Sequence, residues 1–292
     1  MRNHRTLPVR NEAFALLELL LVVVVIGMLL AVWGASLNRV REKTYITLDL
    51  ANFRQILKAS AIYSSDNSDY MAHPTWGWIS SGVGPDGWAY ITSNQGRLPG
   101  LPTAIPSCEG RDVNSAQFTN QLAFFSKGQV TQYLDDGVKT TWCPKDVAYR
   151  EASHGSRARQ LWLARSVKVT SYAWNGTVGG YAGKPLDLNG KTYRVSQFQP
   201  SDWLMWEMDE SDPFNFNDAA DHPEVDEGFS RRHSGQRDWW VTTSNGPRNL
   251  SGGAIVGAFG GTAHYVRWPR VWDLRNRRVA APNEIFNGPE YR

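Results

Sequence analysis

The stretch "EAFALLELLLVVVVIGMLLAVW", which runs from Glu12 to Trp33, decides the expected fold. Among the 24 residues from Phe14 to Leu37, Glu18 is the only charged one. About 20 apolar residues are enough for a helix to cross a bilayer, and a helix of a soluble protein is rarely apolar on every face. The stretch therefore predicts a transmembrane helix over residues 14–37.

A cleaved secretory signal peptide is the alternative interpretation of this stretch. The apolar core of such a peptide has about 7–15 residues and ends at a cleavage site with small residues. Here the apolar run is longer, and "WGASLNRVREK" (residues 33–43) leads directly into further helix-like sequence. A retained transmembrane helix is the favoured interpretation.

The acidic residue inside this apolar run requires an explanation. A carboxylate at mid-membrane costs about 2.5–3.5 kcal/mol, and less near the edge. Such residues usually have a function and a partner. Alternatively, Glu18 lies close enough to the headgroups to stay hydrated. The residue types alone leave both interpretations open.

A short basic leader, "MRNHRTLPVRNEA" (residues 1–13), precedes "FALLELLLVVVVIGMLLAV". Together they resemble the class III signal of type IV pilins and type II secretion pseudopilins. The resemblance implies that a prepilin peptidase cuts between Ala13 and Phe14 and that Phe14 is then N-methylated. It also implies that Glu18 pairs with the N-terminal amine of a neighbouring subunit and so selects register. Ala13 stands where the family usually has glycine.

Helical periodicity continues beyond the apolar run, and no proline occurs between Phe14 and Met71. The apolar positions with helical spacing are Ile46, Leu50, Phe53, Leu57 and Ala61. One helix from Phe14 to about Ser65 is therefore expected, ended by the turn residues of "SSDNSDY". After Met71, short apolar runs alternate with residues typical of turns, which predicts strands and long loops. The strand candidates lie in "QLWLARSVKVTSYAWNGTVGG" (160–180), "GKTYRVSQF" (190–198), "DWLMWEMDE" (202–210) and "GAIVGAFGGTAHYVRW" (253–268).

These patterns predict an α+β, pilin-like fold. A long N-terminal helix, with a transmembrane half and an amphipathic half, would pack on an antiparallel β-sheet head with long loop insertions. The expected domains are a leader peptide (1–13), a transmembrane helix (14–37), its amphipathic continuation (38–66) and an extracytoplasmic β-rich head (67–292).

Three segments of the head resemble a bacterial subgroup of pilin-like proteins named for a C-terminal His-x9-Asp-Gly motif. They are "WCPKD" (142–146), "SYAWNG" (171–176) and "RRHSG" (231–235), the last followed by "GGAIVGAFGGTAHYVRW" (252–268). His233 stands for the histidine of the motif. Gly260 and Gly261 stand where Asp-Gly is expected, after 26 residues instead of 9. The aspartate is missing, so its role in the subgroup does not carry over.

The two cysteines, Cys108 and Cys143, could pair in an extracytoplasmic compartment. A disulfide is favoured over two free thiols. Two cysteines without matching histidine spacing do not predict a zinc site.

The stretch "EMDESDPFNFNDAADHPEVDEGFSRRH" (207–233) is rich in carboxylates, which can bind calcium in a loop. The calcium ligands would be Asp209, Asp212, Asp218 and Asp221. A solvated acidic loop without metal is the favoured alternative, because EF-hand spacing is absent. Glu207 and Asp209 also have the spacing of a carboxylate pair on one face of a strand, but no second signature of a hydrolase accompanies them. The chain is therefore predicted not to be an enzyme.

The composition of the chain indicates which classes of binding partner are favoured. The net charge is +3 and would be +1 without residues 1–13, which does not favour nucleic-acid binding. The 13 tryptophans either fill the core of a head poor in aliphatic residues or form a binding surface. "TWGW" (75–78), "GWAY" (87–90) and "DWW" (238–240) are the segments that motivate the second interpretation.

The favoured function is that of a structural pilin-like subunit (pseudopilin) of a type II secretion or type IV pilus-like assembly. The resemblance implies two partners, the prepilin peptidase and other pilin-like subunits. It also implies an inner-membrane location, with the N-terminus cytoplasmic and the head extracytoplasmic. The alternative function is a membrane-anchored surface protein whose tryptophan-rich head binds glycans or exported substrates.

Overall fold

The computed structural model describes residues 12–76, 84–180, 191–221, 228–234, 252–276 and 278–292. Within the first of these ranges, the side chains of residues 12–16, 32–36 and 38 are outside the description. The chain divides into two compact units, Met1–Thr44 and Tyr45–Arg292.

Helix α1 has the bounds Glu12–Asp66 and contributes to both units. In the first unit the described apolar side chains lie between residues 17 and 31 and at Leu37 and Val40, and all of them are exposed. The described part of the chain contains no helical stretch that is both long and apolar enough to cross a membrane. The predicted transmembrane helix over 14–37, the fold class built on it and the inner-membrane location are therefore wrong.

In the second unit, residues 45–66 of α1 place one face in the core. Phe53 and Ile56 are completely buried, and Ile46 and Leu50 pack against the same cluster. Ala61, which the periodicity placed on this face, is exposed. The helix ends where the backbone N–H of Asn67 bonds back to the carbonyls of the last turn.

The second unit contains a five-stranded sheet within its described residues. The strands are β1 (Tyr172–Asn175), β2 (Trp203–Glu207), β3 (Ala220–Asp221), β4 (Gly253–Ala258) and β5 (Ala263–Arg267), in the spatial order β3-β1-β2-β4-β5. Strands β1, β2, β4 and β5 pair antiparallel, but β3 pairs parallel with β1. The sheet is mixed, so the predicted antiparallel sheet is wrong. The connection after β2 carries the chain past β1 to its far edge, where β3 runs in the same direction as β1.

Both faces of this sheet are covered. Because neighbouring side chains of a strand point to opposite faces, Met205 and Ile255 pack in the cluster that contains α1, whereas Trp206 and Val256 pack with helix α5 (Trp268–Arg275). This explains why β1, β2 and β4 are buried along their whole lengths.

Three further helices lie between α1 and β1 in the chain. They are α2 (Ala116–Phe125), α3 (Pro144–Arg150) and α4 (Arg157–Leu163). Ser115 and Ser156 cap the first turns of α2 and α4, since each side chain accepts a backbone N–H. The segment "QLWL" (160–163), predicted as the start of a strand, belongs to α4 because this capped turn favours a helix. Short 3-10 turns occupy Thr131–Tyr133, Gly137–Lys139, Gly176–Gly179, Val195–Gln197, Pro213–Phe216, Arg232–Ser234 and Pro289–Tyr291.

Candidate functional site

The second unit contains a group of ionisable side chains buried between α1, α3 and the sheet. We call it the buried polar cluster. Its members come from four segments of the chain, and each is at most 3% exposed. They are Asp49, Cys143, Asp146, Glu207, Arg232 and His233.

The imidazole of His233 lies at the centre of the cluster. Its Nε2 atom is 3.3 Å from Oδ2 of Asp49, 3.4 Å from Oε1 of Glu207 and 3.6 Å from Sγ of Cys143. A single nitrogen therefore faces three atoms that accept hydrogen bonds or bind cations. Two of these neighbours are positioned by secondary structure: Cys143 is the N-cap residue of α3, and Glu207 is the last residue of β2.

Each of the two carboxylates is held by its other oxygen. The hydroxyl of Tyr172 donates to Oδ1 of Asp49. The backbone N–H of Ile255, on the neighbouring strand β4, donates to Oε2 of Glu207 at 2.8 Å. The remaining oxygen of each carboxylate is thereby directed at His233.

Arg232 supplies positive charge next to this centre. Its guanidinium nitrogens lie 3.5 Å from Oε1 of Glu207, 3.1 Å from Oε2 of Glu210 and 3.5 Å from Oδ1 of Asp146. Arg165 donates two hydrogen bonds to Asp146, at 2.6 and 2.8 Å. The carboxylates of the cluster are therefore matched by cations, which a charge buried at this depth requires.

Burial and neighbouring charges together raise the pKa values of Asp49 and Cys143, and neighbouring charges lower that of Glu207. Burial and the nearby carboxylate of Glu207 raise the pKa of Asp49 above its usual range. Burial would also raise the pKa of Glu207, but His233 and Arg232 outweigh it and hold that pKa below its usual range. Burial, together with Asp49 and Glu207, raises the pKa of the Cys143 thiol. Without an additional cation this thiol stays protonated.

Chemically, the centre offers one nitrogen, one sulfur and two carboxylate oxygens in an enclosed position. All four donor atoms lie within 4.8 Å of one another. Mixed nitrogen, sulfur and oxygen donors are typical of transition-metal sites. The four donor residues are buried, which favours a structural role over a reaction with a diffusing substrate.

The three head segments singled out in the sequence meet at this cluster. "WCPKD" contributes Cys143 and Asp146, and "RRHSG" contributes Arg232 and His233. "SYAWNG" contributes Ser171, whose hydroxyl donates to Asp146 at 2.7 Å, and the tyrosine that holds Asp49.

The two glycines that replace Asp-Gly are found in the turn between β4 and β5. Gly261 has φ +81°, a left-handed conformation that favours glycine, and a Cβ on Gly260 would meet Pro200. They have a backbone role there, and neither residue type offers a ligand to the cluster.

The predicted disulfide is wrong, because Cys108 and Cys143 are buried free thiols. They have different polar neighbours. Cys143 faces His233, whereas the carbonyl of Cys108 accepts a hydrogen bond from the ammonium of Lys168 at 2.8 Å.

The four proposed calcium ligands each make a separate local hydrogen bond. Their carboxylates accept from Ser211 N, Phe214 N, Ala220 N and the indole N–H of Trp206, for Asp209, Asp212, Asp218 and Asp221 respectively. Within the described residues, the one convergent set of metal-ligating side chains is the group around His233. Calcium binding by the acidic stretch stays a prediction.

The residues predicted for processing and assembly lie in the first unit. Glu18 is exposed on α1, and the side chains of Ala13 and Phe14 lie outside the described part. Seven of the described tryptophans are buried in the core, as the first interpretation of the tryptophan content predicts. They are Trp76, Trp88, Trp162, Trp174, Trp203, Trp206 and Trp268. Trp78, Trp239 and Trp240, which motivated the glycan hypothesis together with Trp76, are outside the described residues.

The sequence analysis missed Asp49, Asp146 and Arg232. A signal for Asp49 was present, because it lies three residues after Ile46 and four before Phe53 and so falls on the apolar face of α1. An acidic residue on a buried face predicts a buried partner. Asp146 and Arg232 lie in the segments "WCPKD" and "RRHSG". Nothing in the sequence indicates that these two segments are in contact.

No family model, no curated protein and no solved structure matches this chain.

Proposed function

We propose that the chain is a pilin-like structural subunit that assembles with other such subunits through the apolar part of α1. The supporting observation is the exposure of this segment. Every described side chain from residue 17 to residue 31 is exposed, with the large apolar ones between 45% and 65%. A helix that is apolar on all faces is normally buried. Its partners in this proposal are the same helices of neighbouring subunits.

The energy available for such assembly is large. Complete burial of one leucine or valine side chain contributes about 1.5–3 kcal/mol. The segment carries twelve large apolar side chains that are at least 45% exposed. Because they surround the helix, each copy can contact several neighbours at once, as a fibre core requires.

Glu18 provides the specificity in this proposal. A cut between Ala13 and Phe14 would free an amine four residues before Glu18, about 6 Å along a helix. In an assembly of apolar helices, Glu18 of one subunit is the countercharge for the Phe14 amine of the next. A subunit in the wrong register would leave both charges unpaired in an apolar surrounding, which is costly.

The first experiment is coexpression of the full chain with and without a prepilin peptidase, followed by intact mass measurement and N-terminal sequencing. We expect a chain that begins at N-methylated Phe14 only when the peptidase is present. A chain that still begins at Met1 in the presence of an active peptidase contradicts the proposal.

The second experiment compares Glu18→Gln with Glu12→Gln in a quantitative cross-linking assay of assembly. Both variants remove one negative charge, but Glu12 lies in the leader and would be lost on cleavage. We expect Glu18→Gln to be cleaved and to lose ordered assembly, and Glu12→Gln to assemble like the wild type. Equal assembly of the two cleaved variants would exclude the role given to Glu18.

A further inference from the structure

We propose that Asp49, Cys143, Glu207 and His233 form a closed binding site for one divalent transition-metal ion, best matched by Zn²⁺. The ion would join α1 to the sheet. This site lies within the second unit, so the proposal does not depend on the assembly function.

The spacing of the donor atoms fits a tetrahedral ion. Zinc bonds of about 2.0–2.1 Å to nitrogen and oxygen and about 2.3 Å to sulfur place tetrahedral nitrogen and oxygen ligands about 3.4 Å apart, and nitrogen and sulfur about 3.6 Å apart. From Nε2 of His233, the two carboxylate oxygens lie at 3.3 and 3.4 Å and the sulfur of Cys143 at 3.6 Å. The three separations from Nε2 therefore match those of a tetrahedral zinc ion, and all four donor atoms lie within 4.8 Å of one another.

A second observation points to a cation at this position. Oε1 of Glu207 is buried and accepts no hydrogen bond from any described residue, although the guanidinium of Arg232 lies 3.5 Å away. It is directed at Nε2 of His233, which also faces Asp49 and Cys143. One N–H group can point at only one of three acceptors, whereas a metal ion binds all four atoms at once.

The surrounding residues hold the donors as a metal site requires. Tyr172 and the backbone of Ile255 each occupy one oxygen of a carboxylate and leave the other for the ion. Such outer hydrogen bonds orient the ligands of known metal sites and tune their affinity. Both partners belong to the sheet, which is fully buried at these positions.

Charge balance and donor type select the ion. A thiolate and two carboxylates carry three negative charges, so a divalent ion leaves one, which lies next to Arg232. On binding, the ion replaces the proton on Sγ of Cys143 and any proton on Nε2 of His233, and these protons go to solvent. Sulfur and imidazole donors favour Zn²⁺ over Ca²⁺ or Mg²⁺, which prefer oxygen.

The site is structural in this proposal, because four protein ligands leave no open position for a substrate. The ligands come from α1, the start of α3, the end of β2 and the turn Arg232–Ser234. The ion therefore links elements that are up to 184 residues apart in the chain. Metal binding of this kind contributes to the free energy of folding.

The test uses the full chain, stripped with a chelator and titrated with Co²⁺, which reports its ligands by absorption. We expect about one Co²⁺ per chain, with the visible bands of a tetrahedral ion and a thiolate-to-cobalt charge-transfer band, and displacement by Zn²⁺. Cys143→Ser should lose the charge-transfer band and weaken binding at least about tenfold. The matched control is Cys108→Ser, which removes the other buried thiol and should leave the spectrum unchanged.

A measurement on the wild-type chain covers the case in which Cys143→Ser does not fold. X-ray absorption of the zinc-loaded chain should show one sulfur at about 2.3 Å and three nitrogen or oxygen ligands at about 2.0 Å. The proposal is overturned if the stripped wild-type chain binds no Co²⁺ or Zn²⁺, if sulfur is absent from the ligands, or if Cys108→Ser removes the thiolate band.

Discussion

The two parts of α1 place their large apolar side chains in opposite environments. In the first unit, the large apolar side chains between Leu17 and Leu30 are 45% to 65% exposed. In the second, Phe53 and Ile56 are completely buried against the sheet. Each part also carries a carboxylate among apolar residues. No described residue makes a hydrogen bond or ion pair with Glu18, which is exposed, whereas Asp49 is buried and contacts Tyr172 and His233.

The two parts of α1 differ in the source of the residues that cover them. The chain itself supplies the cover and the countercharge for residues 45–66, because the head folds around them. In our proposal, the cover for residues 17–31 comes from neighbouring subunits. A carboxylate among apolar side chains thus serves folding in one unit and, in our proposal, assembly in the other.

The largest loss of stability is expected when Arg232, the buried cation next to Asp146, Glu207 and Glu210, is replaced. Arg232→Met removes the cation that faces Asp146, Glu207 and Glu210, and breaking a buried ion network costs about 3–5 kcal/mol. Chemical denaturation should show this loss or a chain that does not fold. The control, Arg97→Met, breaks a half-exposed ion pair and should cost no more than about 1 kcal/mol. Equal losses would remove the distinction between buried and surface charges.

Packing on the two parts of α1 can be compared directly. Phe53→Ala removes a buried ring that contacts Tyr172 with 4.5 Å between ring centroids, and should lower the free energy of unfolding by about 3–4 kcal/mol. Leu20→Ala, in the exposed part, should change it by less than about 0.5 kcal/mol and should instead weaken assembly. Urea denaturation of the dispersed chain measures the first effect, and cross-linking measures the second. A large loss of stability from Leu20→Ala would mean that this residue packs within its own chain.

A smaller effect is expected from two glycines. In Gly257→Ala, the added Cβ would lie 2.9 Å from Met205 and 3.1 Å from Leu57 and Phe53, so overpacking should cost about 1–3 kcal/mol. In Gly27→Ala, nothing lies within 4 Å, and the helix should gain up to about 1 kcal/mol. Thermal unfolding followed by circular dichroism measures both. The same sign for the two variants would contradict the close approach of α1 to β4.

The smallest expected change is one of pH dependence, and it concerns Asp146. Burial would raise its pKa, but Arg165 and Arg232 hold it well below the usual 3.8. Because the folded pKa is lower than the unfolded one, this carboxylate stabilises the fold above about pH 3.8 and loses that contribution as the pH falls. Asp146→Asn should therefore show a smaller acid-induced loss of stability than the wild type, in urea titrations between pH 6 and 3. The exposed-pair variant Asp86→Asn should follow the wild-type curve.

Local patterns were sufficient for several elements. Helical spacing predicted that Ile46, Leu50 and Phe53 share a buried face. Short apolar runs flanked by turn residues predicted strands within residues 202–210 and 253–268, where β2, β4 and β5 lie. The order of the strands, the parallel pairing of β3 with β1 and the role of α5 could not be predicted, because they depend on contacts between distant segments. The disulfide prediction failed for the same reason: two cysteines in one sequence do not reveal which side chains they face.

By itself, the sequence determined the apolar character of residues 14–37, the isolated charge of Glu18 and the segments that form the central strands, because these depend on residue type and local spacing. The tertiary structure alone decided that Asp49, Cys143, Glu207 and His233 meet. They are separated by up to 184 residues, and only the packing of α1 and α3 against the sheet brings their donor atoms within 4.8 Å. Burial at this position shifts the proton affinities of these side chains away from those that they have in water.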